Sequence, residues 1–336
     1  MFSFNDLKII CQEFNIECIQ ISDVIDTSKS ESDRRFNYKI NNEYFLKINN
    51  STVITEDFLQ DISTLISKYR KIGVYCPSLI KNKTGNLACY YEKDNIQYIC
   101  YIEECAPYNI YNSKDNSIDY TFRKNVVKHI GKLAQQFSNI DLSKFKSMWS
   151  LIELGPFDIN KDEKQENLDS LVSTLKEKQF NDLSNKLVLI NHQLREHIKI
   201  YIHQLPRCVY QGDLNDSNIL VDDKGDFRGI IDFNMFGTEV NINCFLNETM
   251  YYLEKSDFDQ LTAQEIFDKM NKVQELLLSE IFESYSLNNL ELNIFKYYKK
   301  IIYLSFYPNV ALWNSLISKN QHLDKVLELI NIILNS

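Results

Sequence analysis

The stretch VYQGDLNDSNILVDDKGDFRGIIDF, residues 209–233, places two carboxylates, Asp213 and Asp232, and one amide, Asn218, at the ends of short apolar runs. NILVD and FRGIIDF read as two strands joined by the turn DDKGD, so Asn218 before one strand and Asp232 at the end of its partner fall at the same end of a hairpin. Asp213 lies five residues ahead of Asn218, on the loop that leads into the hairpin. Three oxygen donors gathered in this way suit a hard cation such as Mg2+, which keeps some of its waters and takes phosphate oxygens as further ligands. Transfer of a phosphoryl group needs such neutralisation, because negative charge collects on its oxygens. The carboxylate not engaged by the metal is then placed to accept a proton from an attacking hydroxyl, or to orient it.

The period of the apolar residues outlines the elements that must position this hairpin. SFNDLKIICQEFN sets Phe4, Leu7, Ile10, Cys11 and Phe14 at helical spacing behind a Ser3 cap. IECIQIS, RRFNYKI and EYFLKIN predict three antiparallel strands, the last two joined at INNE. TEDFLQDISTLISKYRKIG carries Phe58, Ile62, Leu65, Ile66 and Tyr69 on one helical face and closes at Gly73. CPSLIKN, LACYYEK and QYICYIEEC predict further strands with turns at KTGN and KDN, for a sheet of about five strands.

From residue 106 the pattern changes to the polar APYNIYNSKDNSIDYT, followed by KNVVKHIGKLAQQF with apolar residues three and four apart. FDINKDEKQENLDS reads as a polar surface loop; helices run up to Pro206 and resume from CFLNETMYYLEK through most of 262–335. The expectation is an α+β chain in two domains: a β-rich N-lobe over 1–105 and a helical C-lobe over 106–336 that carries the loop and the hairpin.

A length of 336 residues allows two cores, and 44% hydrophobic with 25% charged residues fits a folded globular protein. A formal net charge of -9 with scattered basic residues argues against a nucleic-acid partner. The N-terminus has no signal-peptide pattern, and no apolar run approaches the ~20 residues that span a bilayer, so no membrane is expected and the cytoplasm is the expected compartment. Eight cysteines without a C-x-x-C pair read as free thiols, and the five histidines do not join them in a zinc pattern.

QGDLNDSNIL resembles the kinase catalytic loop H-R-D-L-x-x-x-N, and IDFN resembles the D-F-G metal site. More closely, GDLNDSNILVDDKGDFRGIIDF resembles the aminoglycoside phosphotransferase/choline kinase superfamily, with its HGDLxxxNIL and IDF or IDW. The match is strong over these residues and looser in the order of lobes. It implies a two-lobed protein-kinase-like fold and an ATP- and Mg2+-dependent phosphotransferase acting on a hydroxyl of a small molecule. By that resemblance Asp213 is the catalytic base or orienting group, Asn218 a metal ligand and Asp232 the principal metal ligand. Lys47, on the predicted third strand, matches the lysine that grips the nucleotide phosphates. Its acidic partner would come from the following helix, with Asp61 preferred to Glu56. YICYIEECAPY resembles the hinge, where the main chain of Glu103, Glu104 and Cys105 would meet adenine; a plain core strand fits the same pattern.

The chain also departs from that pattern. Residues 1–72 contain no glycine, so a phosphate cover would have to come from DVIDTSKSESDRRF, with Ser28, Ser30 and Ser32 as candidates, unless this is simply a surface loop. Gln211 replaces the usual histidine, and its amide offers both a donor and an acceptor for organising the loop. Asn243 stands where relatives have an aspartate. Glu248, Tyr251, Tyr252, Glu254, Tyr303, Tyr307 and Trp313 suit a cationic acceptor, though aromatics at helical spacing equally form core. Aminoglycosides, choline or ethanolamine, homoserine and sugar-like alcohols all stay open, as does the oligomeric state. An inactive nucleotide-binding scaffold and a protein kinase are the alternatives; no A-P-E segment follows residue 234.

Overall fold

The computed structural model describes residues 2–113 and 118–336, so the middle of the polar connector lies outside the described residues. Contacts divide the chain into two units, Met1–Tyr111 with Asn215–Phe233, and Asn112–Leu214 with Asn234–Ser336.

The first unit opens with α1 (Phe4–Glu13), where Ser3 and Asp6 form a reciprocal capping box. Strands β1 (Ile25–Asp26), β2 (Arg35–Ile40) and β3 (Tyr44–Asn49) follow. Helix α2 (Glu56–Lys71) is capped by Thr55 and closed by Gly73, left-handed at φ 83°. Then come β4 (Ala88–Lys93), β5 (Ile96–Glu104) and β6 (Asn109–Ile110). The sheet is antiparallel in the order β1-β2-β3-β5-β4. Its tight turns use residues that tolerate left-handed backbone: Asn41 and Asn42 (φ 52° and 59°), and Asp94 and Asn95 (φ 53° and 59°).

Alternation sets its faces. Tyr38, Ile40, Leu46, Ile48, Cys100 and Ile102 form one core with Leu7, Ile10 and Cys11 of α1. Burying Leu46 and Ile48 stabilises by about 1.5–3 kcal/mol each, fixes the register of β3, and turns Lys47 between them to the opposite face.

Two expected strands do not form. In IECIQIS only Ile21 makes a bridge, to Ile40, because the side chain of Asn41 takes the amides of Ile19 and Gln20, both at 3.0 Å. In CPSLIKN, Pro77 has no N–H to give, and pairing is limited to a bridge between Leu79 and Glu103 and flanking bonds such as Ile80 N–H to Ile102 O, 2.8 Å.

The second unit begins with α3 (Tyr120–Phe137), which buries Val126, Val127, Ile130, Leu133 and Ala134 as their spacing predicts. It continues through α4 (Glu163–Glu177), α5 (Asn181–Tyr201) and β7 (Arg207–Tyr210). Much of the polar stretch expected as a loop is therefore α4, started by Asp162, whose side chain accepts from the amide of Gln165.

Beyond Leu214 the chain rejoins the first unit. A single 3-10 turn, Asp216–Asn218, leads into β8 (Ile219–Val221) and β9 (Phe227–Ile230), paired antiparallel with Ile219 opposite Ile230. Asp222 closes the turn by accepting from the amides of Lys224 and Asp226, at 2.9 and 3.0 Å. The sequence groups this hairpin with the helices and sets the first boundary after Cys105, whereas β8 pairs with β6 and thereby holds Asn109–Ile110 and itself in the first unit. Segment 75 adds to this: Tyr75 N–H donates to Arg228 O and Tyr75 O accepts from Ile230, both at 2.9 Å.

The second unit resumes with β10 (Gly237–Val240), which pairs with β7 and has no counterpart in the sequence reading. Helix α6 (Asn241–Glu248) stops well short of the end of CFLNETMYYLEK. Then α7 (Lys255–Gln260), α8 (Ala263–Phe282), α9 (Asn289–Ser305), α10 (Tyr307–Ser318) and α11 (Leu323–Asn335) complete it.

Candidate active site

In the first unit the hairpin brings two of the expected oxygen donors to one end. The carbonyl of Asn218 accepts from the amide of Ile231 at 2.9 Å, which sets Asn218 across the ladder from the residue preceding Asp232. Asn218 is buried, and Asp232 adopts φ 56°, a left-handed conformation uncommon outside glycine and enriched at functional sites. One carboxylate and one amide oxygen make a donor set that fits a hard divalent ion whose other ligands are phosphate oxygens and water. Among the described residues no group of three or more His, Cys, Asp or Glu is arranged to hold a metal by itself.

Lys47 lies on the face of β3 away from the core and forms an ion pair with Glu103. Phe45 faces Glu103 and Lys47 faces Tyr101 across the β3–β5 ladder, so lysine and glutamate are diagonal neighbours on one face. Burial works against the ammonium, but the charges of Glu103, Tyr101 and Asp232 outweigh it and hold its pKa above the ordinary lysine value. The acid paired with Lys47 is thus on a strand and not on the helix, as Asp61 or Glu56 would be. Both oxygens of Glu56 accept backbone amides, those of Leu87 at 2.7 Å and Ala88 at 3.0 Å. Asp61 sits on α2.

The hinge segment has partners of its own. The amide of Glu104 donates to Ser78 O at 3.0 Å and that of Cys105 to Glu43 O at 2.6 Å, so neither donor expected for adenine is spare. The Glu104 carboxylate pairs with Arg70 and accepts from Tyr75 Oη at 2.9 Å. The serine-rich loop is folded on itself: Ser30 Oγ meets Ser32 Oγ at 3.0 Å, and Ser28 Oγ accepts from the amide of Arg35 at 2.9 Å.

In the second unit Asp213 is held through its backbone. Buried Gln211 accepts from the Asp213 amide at 2.7 Å and donates to the Asp213 carbonyl at 3.1 Å, using both ends of its amide as the substitution for histidine predicts. Gly212 sits at φ 81°, where a Cβ would lie 2.4 Å from Met235 O, and its carbonyl accepts the indole N–H of Trp149. Arg123 donates to Leu214 O and, at 2.7 Å, to Glu248. Burial raises the Glu248 carboxyl above the usual range, Arg123 opposes this, and the charge of Asp213 adds to it.

Of the aromatics proposed for an acceptor, Trp313 and Tyr303 are core at 0% and 2% exposure, while Tyr307 is open at 60%. Tyr251 is buried against Asp257, 3.0 Å from its hydroxyl. Sequence reasoning missed the Lys47–Glu103 pair and the hold of Trp149 and Arg123 on the loop. The first depends on the register between strands separated by α2 and β4, and the others on tertiary packing, none of which leaves a local signal.

The profile of the family described as "Phosphotransferase enzyme family" matches residues 28–239, well over half of the chain and inclusive of Lys47, Asp213, Asn218 and Asp232. Among solved structures the chain is similar to the amicoumacin kinase hAmiN in complex with AMP-PNP, Ca2+ and Ami, at 11% identity over 99% of this chain and 94% of that one, with a TM-score of 0.55. A microcompartment-associated aminopropanol kinase is similar at 9% identity, covering 99% and 95%, with a TM-score of 0.52. These likenesses establish the shared kinase-type α+β fold. No curated relative matches the chain in sequence.

Proposed function

Because the chain belongs to the phosphotransferase enzyme family, we propose that it moves the γ-phosphoryl group of ATP to a hydroxyl of a small molecule. One observation carries this reading: the Asn218–Ile231 backbone bond sets two hard oxygen donors at one end of a hairpin, and the charge of Asp232 reaches a buried lysine. Lys47 grips phosphate oxygens. Asn218 and Asp232 hold Mg2+, which when bound neutralises charge on the phosphates. Asp213, fixed at its backbone by Gln211, accepts the proton of the acceptor hydroxyl or orients it.

An amine-bearing alcohol is the acceptor class we favour. Two kinases of similar fold are named for amicoumacin and aminopropanol. We place the enzyme in the cytoplasm: its cysteines are free thiols, and among the described residues no helix is long and apolar enough to cross a membrane. The second reading is a weak or inactive nucleotide-binding scaffold of the same fold; the engaged amides of Glu104 and Cys105 bear on nucleotide binding in both readings alike.

An ATP-consumption screen against amino alcohols, aminosugars, sugars and amino acids tests the proposal. One class should accelerate turnover; Asp213→Asn should then lower kcat by about 10²–10⁴-fold with nucleotide affinity nearly kept, while Asp232→Ala should remove metal-dependent binding. Nucleotide binding without turnover on any acceptor favours the scaffold, and metal-independent binding untouched by Asp232→Ala ends the phosphotransferase reading.

A further inference from the structure

Lys47 pairs with one carboxylate of its own unit and feels the charge of a second. Glu103 is in contact with it, and the two side chains are only 16% and 12% exposed. Asp232 is close enough for its charge to act on the ammonium. Tyr101, 3% exposed, lies on the same face, with Lys47 Nζ 6.0 Å from its ring centroid. In so dry a setting an ammonium that loses one counter-charge is drawn to the other, because an uncompensated buried charge is costly. The carboxylate it would be drawn to is the one assigned to the divalent ion.

We infer that Glu103 is the positioning residue of Lys47: it holds the ammonium on the β5 side of the sheet and keeps it from closing on Asp232 and competing there with the metal. This role rests on the phosphotransferase reading above. It differs from the expected arrangement in the origin of the acid, since a glutamate on β5 is rigidly registered to β3 through six consecutive cross-strand pairs, Tyr44–Glu104 to Asn49–Ile99. The pair therefore keeps its geometry as long as the sheet does, with no helix required to swing inward.

The experiment is equilibrium binding of a non-hydrolysable ATP analogue to the full chain, followed by calorimetry across a Mg2+ titration. Glu103→Gln should raise the Mg2+ concentration needed for half-maximal binding about tenfold, the low end of what loss of a ligand-orienting partner costs. Glu103→Asp should fall between that variant and the native chain. In a Lys47→Met background Glu103→Gln should add nothing, because the residue that it restrains is gone. A native-like Mg2+ requirement in Glu103→Gln, or an equal change with and without Lys47, overturns the inference. Should melting curves show that Glu103→Gln does not fold, Glu103→Asp carries the same test, with a raised requirement expected only where Lys47 is present. Asp232→Asn separates the two levels of argument. If it leaves Mg2+-dependent binding intact, the phosphotransferase reading fails; if it abolishes that binding while both Glu103 variants behave as native, only the positioning role falls.

Discussion

Gln211 grips both backbone polar groups of Asp213, so the loop geometry depends on an amide that does not titrate. The second unit nevertheless holds a buried group that does. Glu239, 3% exposed, has its carboxyl pushed up from 4.5 to about 7 by burial, against the bond from the Val240 amide at 2.7 Å. Between those values the folded chain keeps a proton that the unfolded chain has lost. Stability conferred by the protonated form is accordingly full below 4.5, declines as pH rises to 7, and is flat beyond. Glu239→Gln should remove that slope and stabilise the chain above pH 7 by on the order of 3 kcal/mol, measured as denaturant midpoints at pH 5 and 8; equal slopes in both proteins would contradict the assignment. Asp213, Asn218 and Asp232 could be singled out as candidates because their types and spacing are local, whereas Lys47 entered only through the family resemblance. Glu103 read as a hinge residue or a plain strand residue and not as the partner of Lys47, since that pairing is fixed by a register that no local pattern encodes.

At the scale of elements, the hairpin depends on a close approach. A Cβ on Gly229 would lie 2.2 Å from the carbonyl oxygen of Tyr75, which already accepts from Ile230 at 2.9 Å. Gly229→Ala should push β9 from segment 75, cost about 1–3 kcal/mol, and weaken nucleotide binding through Asn218 and Asp232, as thermal melts and binding titrations would show. Unchanged nucleotide affinity would mean that the hairpin end is not set by this packing. The helices α1, α2 and α3 and the turns at Asn41 and Asp94 were legible from apolar spacing, caps and left-handed residues. The strands expected at 16–22 and 76–82 were not realised, because a side chain supplied the pairing in one and proline interrupted it in the other. Charge density hid α4, whose buried stripe of Leu168, Leu171, Val172 and Leu175 is narrow beneath a polar surface.

For the whole molecule, a net charge of -9 and free thiols throughout set its behaviour in solution. Cys89 and Cys105 are half-buried and the other six cysteines buried, so a small thiol reagent should modify two groups quickly in the native chain and all eight after denaturation. A larger rapid fraction would show that the packing of Cys11, Cys18 and Cys100 around α1 and the sheet opens readily. The first unit is also discontinuous, interrupted by residues 112–214. A nascent chain that has emerged only as far as Tyr111 displays β6 and segment 75 with their pairing edges bare, and the strands that cover them are translated only after α5 and β7. Vectorial completion of the first unit, through the separate β6-β8-β9 sheet, thus waits on the ribosome passing Phe233, and its rate is governed by closure of a long loop and not by helix nucleation.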